Sequence, residues 1–374
     1  MSKLTRLVIK GYKSLENIDI TLGNVNILIG PNGAGKSNLV HFFRFLKAHI
    51  MKESLSSFMA QEGGADSLLF FGSKETEKIL IECFFDKFGY ELQFMPAIND
   101  VLLAEIKPIK IVGAENAIYS KNELRDNEDS NLLDKTIESN LNEEETNHQI
   151  GKRIYNTIEN WRVYHFHDTS NTAKVKKPCV LNDNIYLRSD ASNLAAFLYR
   201  LKNGDNGNSI KNYELIRDTV RLAAPFFDDF ILRIDPLSKH EQINLEWKAK
   251  DTDFPFRAWH LSDGTLRFMC LATLFLQPDL PSAIIIDEPE LGLHPYAIYL
   301  LASMIKSAAT KTQVIVATQS VTLLNQFQPD DVLVVDHDGR ATQIRKLTVE
   351  ELSEWVGEYS LGELWEKNIF GGRP

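Results

Sequence analysis

The sequence predicts an α/β fold with a mixed central sheet, an antiparallel β lobe and a helical subdomain. An apolar strand, a glycine-rich turn and a long helical pattern follow one another over residues 25–50, and a second apolar strand over 283–286 is followed by two acidic residues. Strand-like segments between 79 and 112 follow each other without a helix, which predicts the antiparallel lobe.

The composition fits one large α/β domain or a domain with a sizeable insertion, with 374 residues and 44% hydrophobic content. The formal net charge of −10 leaves no compositional argument for nucleic-acid binding, which needs a basic patch. No apolar run reaches about 18 residues and the first residues carry no signal-peptide core, so we expect a cytoplasmic protein without a membrane partner. Cys83, Cys179 and Cys270 are too scattered to predict a disulfide or a zinc site.

The predicted elements divide the chain into five parts. These are an N-terminal lobe (1–112), an acidic insertion (113–150), a middle helical subdomain (151–260), a C-terminal lobe (261–345) and a tail (346–374). Between 113 and 149 there are ten acidic and three basic residues, which predicts a solvated surface or a partner-binding arm. Further predicted strands are 3–10, 161–168, 229–235, 242–249, 313–317 and 331–335, and further helices are 190–202, 209–224, one from about 264, and 295–309.

The glycine-rich turn matches the pattern G-x-x-x-x-G-K-[ST] between a strand and a helix. Glycines let successive backbone N–H groups point at phosphate oxygens, and the helix adds its positive end. Lys36 is expected to bridge the β- and γ-phosphates, and the Ser37 hydroxyl to ligate Mg²⁺. The motif comprises Gly30, Pro31, Asn32, Gly33, Ala34, Gly35, Lys36 and Ser37.

The second strand carries acidic residues at its carboxyl end. Asp287 is predicted to hold the Mg²⁺ shell, and Glu288 to orient or deprotonate an attacking water. Apolar strands that end in an acidic residue are common, so this motif is a weak indication by itself. Together with the phosphate loop it is a strong one.

A third segment, LSDGTLR, lies about twenty residues before that strand and opens a predicted helix. Ser262, Asp263 and Gly264 would form a second anion site from a hydroxyl and free N–H groups. If the two anion sites lie far apart in one subunit, a second subunit has to supply the other one. The alternative is an ordinary helix N-cap.

These motifs resemble the ABC-type ATPase heads of the RecF, SMC and overcoming-lysogenization-defect group: GPNGAGKSN (ending at Asn38), LSDGTLR and IDEPELGLHP. The resemblance covers residues 3–45 and 255–335. It implies an ABC-type head that binds ATP and Mg²⁺, hydrolyses ATP, and forms a homodimer with ATP between two subunits. It also implies that Glu290–Pro295 resembles the D-loop at the dimer seam.

The sequence departs from this family pattern in two places. Gln319 stands where a switch histidine is frequent, and an amide can bond the γ-phosphate but cannot act as a base. No glutamine stands where the Q-loop is expected, so His167 or Asp168 is a candidate for its Mg²⁺ or water contact. Lys13, in GYKS, resembles a nucleotide-contacting position, with a solvated surface lysine as the alternative.

The resemblance leaves three functions open. The first is an ATPase subunit that regulates a separately encoded effector, such as a nuclease or toxin, in a prokaryotic anti-phage defence system; no TOPRIM nuclease segment follows the ATPase motifs. The second is a RecF-like DNA repair or chromosome-maintenance ATPase that binds DNA directly, and the third is a nucleotide-binding scaffold with negligible turnover. The apolar residues of the tail either dock a partner or pack on the protein's own sheet: Leu361, Trp365, Ile369 and Phe370.

Overall fold

The chain divides into two compact units in a computed structural model. The structure describes residues 3–50, 55–85, 88–97, 101–110, 152, 155–204, 207–236, 238, 241–355 and 358–373. The first unit comprises Met1–Gly23, Gly33–Trp161 and Val335–Lys346, and the second comprises Asn24–Asn32, Arg162–Val334 and Leu347–Pro374. The predicted acidic insertion, 113–150, lies outside the described residues.

The first unit is built on a five-stranded sheet in the order β2-β1-β4-β5-β6, in which all four pairs of neighbouring strands are antiparallel. Leu7 of β1 lies opposite Ile20 of β2 and opposite Cys83 of β4, so this register places apolar side chains on the same face of the sheet. Its strands are β1 (Leu4–Tyr12), β2 (Leu15–Thr21), β4 (Ile79–Phe85), β5 (Phe88–Ala97) and β6 (Val101–Lys110).

Two helices of the first unit are α1 (Lys36–Ile50) and α2 (Leu55–Glu62). The buried face of α1 is aromatic, with Phe42, Phe43 and Phe45 all nearly inaccessible to solvent. Phe45 packs on Phe94 of β5 with ring centroids 4.8 Å apart, so the helix is fixed on the antiparallel sheet.

A six-stranded sheet has the order β16-β15-β3-β14-β13-β7, in which β16 is Thr342–Lys346, and its strands β3, β14 and β13 lie in the second unit. Parallel pairing joins β13 to β14, β14 to β3, and β3 to β15. The strands are β3 (Val25–Ile29), β7 (Trp161–Tyr164), β13 (Ala283–Asp287), β14 (Gln313–Thr318) and β15 (Val332–His337). Near-continuous Val and Ile in β3, β13 and β14 suit strands buried on both faces.

The chain re-enters the first unit at Val335, near the end of β15. A short hairpin, in which Asp338 N–H donates to the Ala341 carbonyl (3.2 Å), leads into β16 (Thr342–Lys346). Thr342 N–H donates to the Ser14 carbonyl (2.9 Å), which ties β16 to the loop after β1. This hairpin supplies the antiparallel part of the predicted mixed sheet.

The helical part of the second unit surrounds α5, whose apolar run is buried almost all round. The helices are α3 (Leu194–Asn203), α4 (Gly207–Ala223), α5 (Asp263–Leu276), α6 (Pro295–Ala309), α7 (Val321–Leu324) and α8 (Leu361–Glu366). Short strands complete it: β8 (Cys179–Val180), β9 (Phe227–Ile231), β10 (Gln242–Ile243), β11 (Glu246–Ala249) and β12 (Phe256–Arg257).

The α/β fold class with an antiparallel lobe and a helical subdomain is confirmed, with two local corrections. The predicted strand 161–168 ends at Tyr164, because the His165 N–H turns away to donate to the Ser189 carbonyl (2.9 Å). The helix predicted from residue 190 begins at Leu194, after Asn193, whose buried amide bonds the backbone of the preceding loop.

The C-terminal tail packs on its own unit. Leu361, Trp365 and Phe370 are buried, and the Trp365 indole N–H donates to the Gly372 carbonyl, whereas Ile369 stays exposed. The packing interpretation of the tail is therefore the correct one for three of the four predicted apolar residues. None of the helices within the described residues has the length and apolarity needed to cross a membrane.

Candidate nucleotide-binding and catalytic site

The site residues of the second unit follow the carboxyl ends of three parallel strands. Thr318 of β14 lies opposite Ile29 of β3, and Asp287 of β13 lies opposite Ala317. Because these ends lie in register, the start of the phosphate loop and the acidic strand end share one edge of the sheet. Ligands of open α/β sheets bind at this edge.

The phosphate loop passes from the second unit to the first between Asn32 and Gly33. Gly33 and Gly35 have φ angles of 80° and 109°, which the loop needs in order to curl. A Cβ on Gly33 would meet nothing within 4 Å, whereas a Cβ on Gly35 would lie 2.0 Å from the Thr342 Oγ1. Gly35 is therefore required for close packing, while Gly33 leaves open space beside the loop.

The helix α1 begins directly at Lys36, and its hydrogen bonding starts with the Leu39 N–H and the Gly35 carbonyl (3.1 Å). Lys36 is buried with an exposed fraction of 5%, and Ser37 is exposed. Asn38 donates to the Ser14 Oγ (2.7 Å), so its side chain supports the loop's surroundings. Gly30 and Ala34 are buried, and Pro31 is half-buried.

Glu288 has a strained backbone. Its φ is 41°, in the left-handed region that a glutamate rarely adopts, and its N–H donates to the Ala317 carbonyl (2.7 Å). Strain of this kind costs about 1–3 kcal/mol and concentrates at functional positions. The bend turns the carboxylate out of the strand direction.

Gln319 joins the phosphate loop to that carboxylate. Its Nε2 donates to the Asn32 Oδ1 (2.6 Å) and to the Glu288 Oε1 (2.7 Å). The side-chain amide of Gln319 therefore links Asn32 of the phosphate loop to Glu288, which follows β13.

Glu290 lies behind this bridge. It accepts hydrogen bonds from the Thr318 hydroxyl and from the Gln319 N–H (3.4 Å), while its other oxygen is buried without a hydrogen-bond partner among the described residues. Burial raises the pKa of the Glu290 carboxyl despite these donors. Glu290 therefore fixes the backbone that carries Gln319.

The two candidates in the Q-loop position behave differently. His167 lies beside the acidic strand end, where its Nε2–H donates to the Asp287 carbonyl (2.8 Å). Asp168 turns back to its own loop and accepts from the Ser170 N–H (3.1 Å) and hydroxyl (2.7 Å), which lower the pKa of its carboxyl. Both hydrogen bonds fall on the Asp168 Oδ1.

Ser262 caps helix α5. Its Oγ accepts from the Thr265 N–H (3.2 Å) and shares a hydrogen bond with the Thr265 hydroxyl (2.8 Å). Asp263 pairs with the buried Lys176 (3.7 Å), and a Cβ on Gly264 would lie 2.2 Å from the Gly292 carbonyl oxygen. The serine-led helix start is therefore packed directly against the predicted D-loop.

Lys13 lies in the first unit and is not a solvated surface lysine. It has a φ of 44°, and its ammonium pairs with the Glu62 carboxylate at 2.9 Å. His41 contacts the same carboxylate at 2.7 Å. Contact with a nucleotide would compete with this ion pair.

The residues present fit ATP and Mg²⁺. In the first unit, the open space beside Gly33, the buried Lys36 and the start of α1 suit phosphate, and the Ser37 hydroxyl is an oxygen donor of the kind that Mg²⁺ accepts. In the second unit, the Asp287 carboxylate is another donor of this kind. Within the described ranges there is no group of three or more His, Cys, Asp and Glu that would hold a metal without phosphate.

Two residues near the site escaped sequence reasoning, Arg267 and Lys176, and Glu290 entered it only as the first residue of the predicted D-loop. Each stands inside or near a motif, but none has a role from spacing alone. The signal for Arg267 was a single arginine in the run LRFMCLATLFL, because a charge on a helix buried all round needs partners.

A strand-loop-helix phosphate motif, an acidic strand end in the sheet that contains that strand and a serine-capped helix against the predicted D-loop match the fold of an SMC-type ATPase head. The chain belongs to the family described as "AAA domain, putative AbiEii toxin, Type IV TA system", whose family model matches residues 25–325. No curated protein gave a significant match.

Solved structures of SMC heads share the fold. A head bound to the C-terminal winged-helix domain of ScpA has a TM-score of 0.58 and 16% identity, over 94% of this chain and 99% of that one. A head with an extended coiled coil, bound to the C-terminal domain of ScpA and derived from Pyrococcus furiosus, has a TM-score of 0.57 and 14% identity, over 96% and 99%. A head with a coiled coil and joint from Pyrococcus yayanosii has a TM-score of 0.52 and 12% identity, over 95% and 99%.

Proposed function

We propose that the protein binds ATP with Mg²⁺ and hydrolyses it, as a homodimer that closes on ATP. The observation that carries this proposal is the double hydrogen bond of Gln319 to Asn32 and Glu288. It brings a phosphate-loop residue, a neutral amide and a carboxylate on a strained backbone to one sheet edge, where the γ-phosphate and its attacking water would need them.

The phosphate loop binds the phosphates of ATP in this proposal, and Ser37 and Asp287 hold the metal ion. Lys36 neutralises charge on the β- and γ-phosphates, and the N–H groups of the loop and of the first turn of α1 point at phosphate oxygens. Mg²⁺, held by Ser37 and Asp287, would supply charge neutralisation on the transferred phosphoryl group. A role for His167 in orienting Asp287 follows from their hydrogen bond.

Glu288 is the general base in this proposal. Its carboxylate orients a water and accepts a proton as the water oxygen attacks the γ-phosphorus. The bond from the γ-phosphorus to the β–γ bridging oxygen breaks in this step, which leaves ADP and inorganic phosphate. Gln319 positions the carboxylate and can transfer an amide hydrogen bond to the γ-phosphate, but it carries no proton away. This arrangement replaces a switch histidine by a neutral donor.

The second subunit enters through the signature segment. Ser262, Asp263 and Gly264 open a helix whose positive end suits the γ-phosphate of the other subunit. Nucleotide would then close two heads on each other, and hydrolysis would reopen them.

The test of this proposal is Gln319→Ala. We expect kcat for phosphate release to fall about 10- to 100-fold, since a donor aimed at the base and the transition state is lost, with little change in ATP affinity. Steady-state phosphate release and equilibrium binding of a fluorescent ATP analogue give the two quantities.

Gln326→Ala is the matched control, because Gln326 lies on the same segment and its side-chain amide donates to the Thr322 carbonyl (3.3 Å). Parent-like turnover in both variants would contradict the role of Gln319. A parent protein that binds ATP and never releases phosphate would leave the nucleotide-binding scaffold as the function.

We further propose that closing of the dimer regulates a separately encoded effector in a prokaryotic anti-phage defence system. The family description, which refers to a toxin of a type IV toxin-antitoxin system, supports this reading. The SMC heads bound to ScpA domains offer an analogy for a head that holds a protein partner.

Direct DNA clamping is the competing function, and salt separates the two. Because the net charge is −10, we expect the ATP-bound protein alone to bind duplex DNA weakly at an ionic strength of about 150 mM. Tight binding with a steep salt dependence would favour the RecF-like function instead.

A further inference from the structure

A buried arginine on the signature helix contacts two other segments of the site. The Arg267 Nε–H donates to the Phe166 carbonyl (2.9 Å), and its Nη2–H to the His167 carbonyl (3.2 Å). Its Nη1–H donates to the carbonyl of Leu291. All three acceptors belong to the backbone, so they bind the guanidinium whatever side chains those positions carry.

Burial of this charge is costly. Arg267 has an exposed fraction of 5%, and burial lowers the pKa of its guanidinium. The fixed fork of five N–H donors can satisfy several carbonyls at once, which a lysine ammonium cannot do in the same plane. A neutral apolar residue would pack in a helix as apolar as α5 without this cost, so the arginine has a task that apolar packing does not supply.

The segments joined by Arg267 are those that carry site residues. His167 donates to the Asp287 carbonyl, and Leu291 lies in the loop that follows Glu288. Arg267 itself lies five residues after Ser262, on the helix that Ser262 caps.

The helix start and the D-loop also touch through glycines. The hypothetical Cβ of Gly264 would lie 2.2 Å from the Gly292 carbonyl oxygen, and Gly292 has a φ of 75°. The two backbones therefore approach too closely for a side chain. A Cβ on Gly292 would also approach the Arg267 Nη1 to 3.1 Å, so the glycine contact and the arginine lie side by side and join the same two segments.

We infer that Arg267 is a positioning residue that couples the signature segment to the segments around Asp287 and Glu288 within one subunit. The inference rests on the proposed function, in which the signature acts on the partner's nucleotide while Asp287 and Glu288 act on the subunit's own. Through Arg267, closure on one ATP alters the alignment of residues at the other. The two nucleotide sites of a dimer then hydrolyse ATP cooperatively.

The test compares Arg267→Lys with Arg221→Lys. Arg221, on α4, also donates from its Nε–H to a backbone carbonyl, that of Asp228 (2.7 Å), but its guanidinium is half-buried and pairs with the carboxylates of Asp218 and Asp228. In Arg267→Lys we expect kcat to fall about 10- to 100-fold, as loss of charged hydrogen bonds predicts, and the Hill coefficient for ATP to fall towards 1. Affinity of the subunit for a fluorescent ATP analogue should change less than about threefold.

Hydrogen exchange supplies a readout that does not require turnover. In Arg267→Lys the amides of 165–170 and of 289–293 should both exchange faster, while Arg221→Lys should leave both segments at parent rates. Parent-like exchange together with parent-like kcat and Hill coefficient in Arg267→Lys would overturn the inference. So would equal losses of stability and activity in both variants, which would mark Arg267 as a structural residue only.

Failure of the proposed function has a different signature. If the Glu288→Gln protein stays monomeric with ATP, the closing dimer is wrong, whatever the arginine does. If it dimerises and Arg267→Lys still hydrolyses ATP cooperatively at the parent rate, the dimer stands and the coupling by Arg267 is wrong.

Discussion

Glu288→Gln is expected to slow ATP hydrolysis at least about 100-fold while leaving ATP binding intact, since a general base contributes about 10²- to 10⁴-fold to such reactions. The Glu288 carboxylate accepts a hydrogen bond from the Gln319 amide at 2.7 Å. Glutamine has the same size, and its side-chain oxygen can accept the same hydrogen bond. The lost property is the ability to take a proton from water. Phosphate release in single-turnover experiments measures the step directly.

The same variant should accumulate as an ATP-bound dimer. Because reopening requires hydrolysis in the proposed cycle, size-exclusion chromatography with light scattering should show a dimer with ATP and Mg²⁺ and a monomer with ADP. Glu366→Gln removes the same charge from an exposed position of α8 and serves as the control. Hydrolysis by Glu288→Gln at the parent rate would remove Glu288 from the catalytic role.

Local patterns predicted much of the second unit's framework. The helix over 295–309 has the bounds that the sequence indicated, because Pro295 suits the first helical turn and apolar residues recur at helical spacing. The strand predicted over 283–286 is observed as Ala283–Asp287, and its unbroken apolar run is typical of a strand buried on both faces. In both segments the local preference and the tertiary environment agree.

Long-range contacts were beyond the sequence. The approach of Gly35 to Thr342 joins positions 307 residues apart (342 − 35), and no local pattern in either segment announces it. The strand predicted over 161–168 was too long, because its polar end leaves the sheet to bond Ser189. Apolar alternation does not report where a backbone finds a better acceptor.

The candidate site shows the same division. The phosphate loop and the acidic strand end could be predicted from the sequence, since each is a contiguous motif. The bridge from Gln319 to Asn32 and Glu288 links three separate segments, so only the packing of parallel strands in register reveals it. Arg267 is an unusual charged residue in an apolar helix. Its hydrogen-bond acceptors are backbone carbonyls, which the amino-acid sequence does not indicate.

Lys36→Ala is expected to weaken ATP binding at least about 100-fold, which corresponds to about 2.7 kcal/mol, because several hydrogen bonds between an ammonium and phosphate oxygens are lost. Lys47→Ala is the matched control, since Lys47 lies on the last turn of the same helix and its ammonium donates to the Trp161 carbonyl (2.6 Å). Calorimetric titration with ATP and Mg²⁺ should show parent-like affinity for Lys47→Ala. Thermal unfolding without nucleotide checks that both variants fold. Should Lys36→Ala fold and bind ATP as the parent does, phosphate would not be held by this loop, and the roles given to Ser37, Asp287 and Glu288 would lose their common substrate.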